Sequence, residues 1–284
     1  MVNKCNLCGA KEFKKIISDN GYLVVECLNC GLVYLRNPPS KKEMKNLYSF
    51  ENGYRKNAAK KKRDIERAMA QLKFINKHGQ KGELLDVGCS VGLLLDFAKK
   101  DGWDVRGLDI SKDALKVARD DFGLDVKEGV IAENSYPKEE FDVIHLGDYI
   151  EHVPDPKKTI GILKSFLKKN GVLVLTTPNS GGLSPRVSKN FSQLFGIWTH
   201  ADPPAHLFQF SKKTIKNLLS GHGFQKITFF RTPFKIEGPV ANFRARSLHK
   251  SVGGFFYTVL FMPLSIIGFL INQGSSMAVV AGRK

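Results

Sequence analysis

The run Glu83-Leu84-Leu85-Asp86-Val87-Gly88-Cys89-Ser90-Val91-Gly92 admits few folds. A short apolar stretch ends in a glycine turn, and the segment Val91–Lys100 follows at helical period. That pattern reads as a buried strand passing directly into a helix. A second strand, Asp104–Leu108, ends at Asp109, and Ser111 then caps another helix. Strand, helix and parallel strand make the first βαβ unit of a doubly wound sheet, which takes its ligand at the carboxyl ends of the strands. The expected class is therefore α/β.

The same loop limits the ligand. A dinucleotide fingerprint, G-x-G-x-x-G, needs glycines at 88, 90 and 93, where this chain has Gly88, Ser90 and Leu93. The glycine for close pyrophosphate approach and the one for close helix packing are both replaced. The acidic residue ending the second strand, Asp109, is kept as an acceptor for ribose hydroxyls. A ribose without a pyrophosphate is what S-adenosylmethionine (SAM) presents.

A different signature stands ahead of this unit. Cys5-Asn6-Leu7-Cys8-Gly9 and Cys27-Leu28-Asn29-Cys30-Gly31 are matched C-x-x-C-G turns. The two-residue gap lets each thiolate pair converge on one ion, the glycine allows the tight knuckle, and two knuckles complete a four-sulfur shell. Cys5, Cys8, Cys27 and Cys30 are thus the expected ligands of a structural zinc. Phe13–Ile17 and Tyr22–Glu26 between them read as a hairpin. A zinc ribbon is expected over 1–37, linker and helices over 38–80, and the α/β domain over 81–284. Ser40-Lys41-Lys42-Glu43 is a capping box, and Ile65, Ala68, Met69, Leu72 and Ile75 mark an amphipathic helix over about 57–78. No charged segment followed by an apolar one opens the sequence, so a reducing, cytoplasmic setting is expected, where paired thiols favour metal over disulfide.

The net charge of +17 is unevenly spread: residues 1–81 carry +11, 82–182 carry −5 and 183–284 carry +11. A mildly acidic centre between basic ends fits a cationic rim around an anionic partner, be it a phosphorylated metabolite, a membrane surface or RNA. General solubility is the plainer reading.

At this point a family resemblance is visible. "LLDVGCSVG" resembles the first motif of class I SAM-dependent methyltransferases, with Ser90 in place of the middle glycine, and "VRGLDIS" resembles the second. "FDVIHLGDYIEHVPDP" is similar to the fourth strand and following turn of the subgroup containing the ubiquinone-biosynthesis O-methyltransferases. "NGVLVLTTPN" resembles the fifth strand, and "PPAHLFQFSKKTIKNLLSGHGF" that subgroup's later helix with its lead-in. The cysteine pairs followed by "CGLVYLRNPP" resemble the front of bacterial methyltransferases of sugar and surface-glycan metabolism. The resemblance implies a Rossmann-like, seven-stranded, mostly parallel sheet. It implies that Asp86, Gly88 and Gly92 shape the methionine end of a SAM site, that Asp109 holds the ribose, and that Gly147 lies beside the sulfonium. Ser90 calls for a slightly wider loop.

Methyl transfer to oxygen or carbon needs positioning and removal of a proton. Asp148-Tyr149-Ile150-Glu151-His152 follows the fourth strand. His152 is the first candidate base, with Asp148 or Glu151 as its orienter. The resemblance also implies a divalent metal held by Asp148, Glu151 and His152. Trp198–His206 is an aromatic, histidine-rich loop expected to cover the acceptor; His206 is the alternative base and His200 a weaker one. His145 lies inside a strand and reads as a satisfied interior residue. Alternatively, Glu151 and His152 simply bond neighbouring backbone.

The tail, Arg244–Ile271, joins the cluster Arg244, Arg246, His249 and Lys250 to an apolar run, Phe255–Ile271, interrupted by Pro263 and Gly268. "FQKITFFR" and "SMAVVAGR" around it read as the sixth and seventh strands, antiparallel in one sheet. A basic and apolar insertion at about 232–275 between neighbouring strands cannot cross a bilayer. It is read as a helix capping the site, a homodimer contact, or an interfacial helix drawn to anionic lipid at the inner face of the membrane. The expected function is SAM-dependent methylation of a small or carrier-linked metabolite, favouring an oxygen of a sugar or lipid-linked glycan precursor. An RNA methyltransferase gripping RNA with its ribbon, and an inactive SAM-binding protein, are the alternatives.

Overall fold

The computed structural model describes residues 1–47, 62–196, 198, 200–232 and 252–284. Residues 57–61 of the expected helix, and the basic cluster Arg244, Arg246, His249 and Lys250, lie outside them.

The chain opens with an antiparallel hairpin, β1 (Phe13–Asp19) and β2 (Tyr22–Cys27), followed by β3 (Val33–Leu35). Ser40 then caps α1 (Lys41–Leu47): its Oγ accepts from the Glu43 N–H at 3.3 Å, and Glu43 Oε2 accepts from the Ser40 N–H at 2.7 Å. This is the reciprocal box the sequence shows. Helix α2 (Lys62–His78) buries Ala68, Gln71, Phe74 and Ile75, one stripe at helical spacing. Full burial of an isoleucine such as Ile75 stabilises by roughly 1.5–3 kcal/mol.

The α/β unit runs β4 (Glu83–Val87), α3 (Leu93–Lys100), β5 (Asp104–Asp109), α4 (Lys112–Phe122), β6 (Val126–Glu128), β7 (Phe141–Gly147), α5 (Pro156–Phe166) and β8 (Leu167–Pro178). Then come α6 (Leu183–Asn190), α7 (Ser192–Phe195), β9 (Phe208–Gln209), α8 (Lys212–Gly221), β10 (Phe224–Phe230), α9 (Val252–Leu270) and β11 (Ser276–Arg283). Helix α3 starts at Leu93 rather than Val91, because Gly92 sits left-handed at φ 80° and closes the loop first.

Seven strands form one sheet in the order β10-β11-β8-β7-β4-β5-β6. β11 runs antiparallel to both neighbours, and β8 through β6 are parallel. The central strands are covered on both faces, which explains why β7 reads as nearly unbroken apolar sequence. One face packs α2 and α3 through Ile75, Leu94 and Trp103. The other packs α5 and α8 through Ile160, Phe166 and Leu219, in a core continuous with the ribbon residues Val25, Leu32 and Tyr34.

That continuity has a backbone cause the sequence does not reveal. Two residues after the histidine loop, β9, pair with β3 (Val33↔Gln209, Tyr34↔Phe208), so the ribbon sheet has the order β1-β2-β3-β9. Lys189 on α6 meets Glu26 at 2.6 Å, and Gln193 on α7 bonds the Lys15 carbonyl at 3.0 Å. The ribbon is built into the α/β unit on the side of α6 and α7.

Candidate active site

The loop after β4 turns through three residues with positive φ: Gly88 at 83°, Ser90 at 54° and Gly92 at 80°. Ser90 thus takes the left-handed conformation a glycine would hold there, at a cost of about 1 kcal/mol. Its N–H then points at Asp109, donating to Oδ2 at 2.9 Å, while the Ser111 N–H donates to Oδ1 at 2.9 Å. Burial pushes the Asp109 carboxyl above its ordinary pKa, the two N–H groups pull it back, and the nearby Asp86 charge adds to the rise. A Cβ on Gly88 would come within 2.9 Å of the Tyr149 ring. Burial, and then the charge of Asp109, raise the Tyr149 phenol to about 12. These features are compatible with the expected SAM site: a turn with glycines at Gly88 and Gly92 toward the methionine end and the Asp109 carboxylate toward the ribose hydroxyls.

Asp86 faces away from water. Its Oδ1 lies 2.7 Å from His145 Nδ1 on the adjacent strand, both side chains being almost wholly buried. His145 is the satisfied interior residue expected. Gly147 ends β7 against the His145 ring and Gln71 of α2, which a Cβ would approach to 2.9 and 3.2 Å.

Beyond Gly147 the candidate catalytic residues separate. Asp148, at φ 53°, meets Arg67 of α2 at 2.7 Å and accepts from Thr176 Oγ1 at 3.3 Å. Glu151 is fully buried and accepts from Thr177 Oγ1 at 3.0 Å. His152 Nδ1 sits 2.7 Å from the Ala205 carbonyl. A carbonyl only accepts, so Nδ1 carries the proton and the neutral ring has its lone pair on Nε2. The orienter of His152 on that side is therefore a backbone carbonyl. The His206 ring stands 4.8 Å from that of His152. Its Nδ1 lies 3.2 Å from the Gln209 amide nitrogen, a donor, which places the neutral proton on Nε2, 3.9 Å from Asp202.

Among the described residues, Glu151, His152 and His206 bring ligand-capable atoms within 4.8 Å of one another. Of the expected trio, Glu151 and His152 are in this group, and Asp148, which is not, pairs with Arg67 at 2.7 Å. His206 reaches the cluster because Leu207 and Phe208 donate their N–H groups to the Glu151 carbonyl at 2.9 and 3.1 Å, while Leu35 of the ribbon donates to the Leu207 carbonyl at 2.9 Å. His200 stands apart, burial lowering its pKa to about 4. Trp198, expected over the acceptor, is buried, with its indole N–H on the Pro185 carbonyl at 3.1 Å.

Sequence reasoning missed Arg67, Gln71, Tyr149 and the Ala205 carbonyl. Gln71 left a signal, being a polar residue on the apolar stripe of α2. The carbonyl left none.

In the ribbon, all four cysteine sulfurs lie within 4.8 Å of one another, with Cys5–Cys30 at 3.6 Å and Cys8–Cys27 at 3.5 Å. A tetrahedral zinc–thiolate site has S···S separations of about 3.8 Å, so the four fit that ion. The hydrogen bond between the Cys5 and Cys30 sulfurs holds the Cys5 thiol down, to about 5.

Comparison with known proteins bears on the family and the fold. A family profile described as a methyltransferase domain matches residues 54–228. The ubiquinone biosynthesis O-methyltransferase of Actinobacillus pleuropneumoniae serotype 7 is 36% identical over 107 residues, 34% of this chain and 46% of that protein. The enzyme of the same name from Paraburkholderia phymatum is 35% identical over 117 residues, 38% and 50% of the two chains. The chain thus spans about half the length of the curated relatives it matches. In fold, it is similar to a SAM-dependent methyltransferase from Archaeoglobus fulgidus, with a TM-score of 0.54 at 19% identity over 80% of this chain and 97% of that one. Among the described residues, no helix is long and apolar enough to cross a membrane. With a matching domain over more than half its length, the chain belongs to the methyltransferase-domain family.

Proposed function

We propose that the chain methylates an oxygen of a small or carrier-linked metabolite, with a sugar or glycan precursor as the favoured acceptor, His152 as general base, and a structural zinc in the ribbon. The observation that carries the reading is the Glu151–His152–His206 cluster directly after Gly147 at the carboxyl end of β7.

Bound S-adenosylmethionine supplies a methyl group already activated on a sulfonium. Asp109 would hold its ribose, Asp86, Gly88 and Gly92 would shape its methionine end, and Gly147 would lie beside the sulfonium. His152 receives the acceptor proton on Nε2, since the Ala205 carbonyl fixes the other nitrogen as the donor. His206 is the weaker base, because the Gln209 amide takes its Nδ1 lone pair. A positioned base of this kind contributes roughly 10²–10⁴ in rate. Glu151 and His152 could also hold a divalent cation, joined by His206 where its contact with the Gln209 amide is given up, and such an ion would lower the pKa of an acceptor oxygen.

The ribbon supports a metabolite over RNA. Strand β3 is wholly buried, Lys14 pairs with Glu26 at 3.0 Å, and Arg36 covers the Phe13 ring at 4.9 Å. A stacking platform for bases needs open aromatic faces.

The test is transfer of labelled methyl from SAM in a lysate of the source cell, with products divided into soluble, lipid-extractable and RNA fractions. Label in the soluble or lipid fraction, lost with His152→Ala but largely kept with His206→Ala, is the expected result. Label in RNA would overturn the acceptor class, and no label in any fraction with SAM binding intact would favour a non-catalytic SAM-binding protein.

A further inference from the structure

Helix α9 is apolar on the wrong side as well as the right one. It runs Val252–Leu270 without a charged residue. Its inner stripe packs on α6: Phe261 is 5% exposed, and a Cβ on Gly268 would meet Leu183 at 3.2 Å. A helix on a water-facing surface carries polar residues on its other face. Here that face presents Leu260 at 58%, Ile267 at 46% and Leu270 at 61%, and Ile271 just beyond it is 57% exposed. Leu194 of the neighbouring α7, 78% exposed, extends the patch. Contiguous apolar surface of this kind marks an interface.

Two occupants suit such a face, and charge separates them. The Arg231 guanidinium lies 5.5 Å over the Phe269 ring and bonds the Leu270 carbonyl at 2.8 Å, and Lys212 bonds the Asn272 carbonyl at 2.7 Å. The apolar face is thus bordered by cations, which can keep their stems on apolar surface and their heads in a polar layer. Residues 183–284 contain only two acidic side chains, Asp202 and Glu237, against 13 basic ones. A twofold dimer through this face would set the same cationic border against itself. An anionic bilayer surface complements both the apolar patch and its border.

The attachment of α9 fixes how it would meet a bilayer. At its carboxyl end, the Leu183 N–H donates to the Gln273 carbonyl at 2.8 Å and Asn179 Nδ2 to the Gly274 carbonyl at 2.9 Å. The helix is therefore pinned along the protein, beside the end of β8. Asn179 and α6 leave that strand at the carboxyl edge of the sheet, the edge that also carries Gly147 and His152.

We infer that the outer face of α9, with Leu194, is a docking surface for the headgroup and upper acyl region of an anionic phospholipid bilayer, on which the enzyme lies without spanning it. The inference does not depend on which acceptor atom is methylated.

The test is flotation of the full chain with vesicles of phosphatidylcholine alone and of phosphatidylcholine with phosphatidylglycerol. Binding to the anionic vesicles only, weakened by salt, is expected. Ile267→Glu with Leu270→Glu should lower it about tenfold or more, while SAM affinity stays at the wild-type value. Ile267→Ser is the milder companion. Absence of flotation with phosphatidylglycerol overturns the inference. So does equal flotation with both vesicles, or a dimer in sedimentation velocity that these variants dissociate in a protein that does not float.

Discussion

Asp86 and His145 are register partners on adjacent parallel strands, and their side chains meet at 2.7 Å inside the sheet. The pair lies beside the methionine side of the candidate SAM site, since Asp86 precedes the glycine turn and the His145 ring stands against Gly147. Removing one member of a buried pair leaves the other without compensation, which costs about 3–5 kcal/mol. His145→Ala should therefore lower the urea midpoint sharply, and His145→Gln, which keeps a donor, should recover part of the loss. Equal midpoints for His145→Ala and wild type would show that Asp86 does not rely on this partner.

Asp109 makes a separate prediction. Its carboxylate accepts from two backbone N–H groups and stands at the strand end where a ribose is expected. Loss of a hydrogen bond to a charged group costs roughly 1.5–3 kcal/mol. Asp109→Ala should weaken SAM binding about 10- to 100-fold in calorimetry, with the circular dichroism spectrum unchanged. Undiminished affinity would remove Asp109 from the site.

For the ribbon, Cys27→Ser should remove zinc and unfold the front of the chain, because metal binding supplies much of the folding energy of such small units. Elemental analysis and hydrogen exchange read both effects. The loss of protection should extend past residue 37 to Leu207 and Phe208, which are tied to β3. Full zinc content in the variant would remove the ion from the ribbon.

The pH dependence of stability carries the mark of His200. Burial lowers its pKa to about 4, against an ordinary 6.5. Below 6.5 the unfolded chain binds a proton that the folded chain refuses until about pH 4, so stability falls as pH drops through this window. The contribution lost between pH 7 and pH 5 is about 2 kcal/mol. His200→Gln should show a shallower decline over that range in paired urea titrations. Parallel curves would mean that His200 takes up its proton alike in the folded and unfolded chain.

The parts legible in the sequence were those dictated by local chemistry. Two C-x-x-C-G turns converge because their own geometry closes each knuckle. Ser40, Ser111 and the Gly88–Gly92 turn declare where helices and loops begin. The α/β sheet followed from one βαβ unit and a recognisable motif. What stayed hidden depends on residues distant in sequence. Nothing around Phe208 announces a partner at Tyr34, because a two-residue strand has no periodicity. Nothing around Asp148 announces Arg67, because one arginine on a helix rich in cations has no distinguishing spacing. His206 was visible as a histidine in a loop, but its place beside His152 arises from backbone bonds to Glu151 that any residue could make.

The pairing of β3 with β9 also sets an order of assembly. Tyr34 leaves the ribosome long before Phe208 exists, so a nascent ribbon can gather its cysteines while β3 still presents an unpaired edge. That edge is closed only when the chain has passed through the five parallel strands β4 to β8 and reached residue 208. The ribbon is thus finished long after its own residues are made, and a translation product interrupted before residue 208 would carry an open strand at Val33–Leu35.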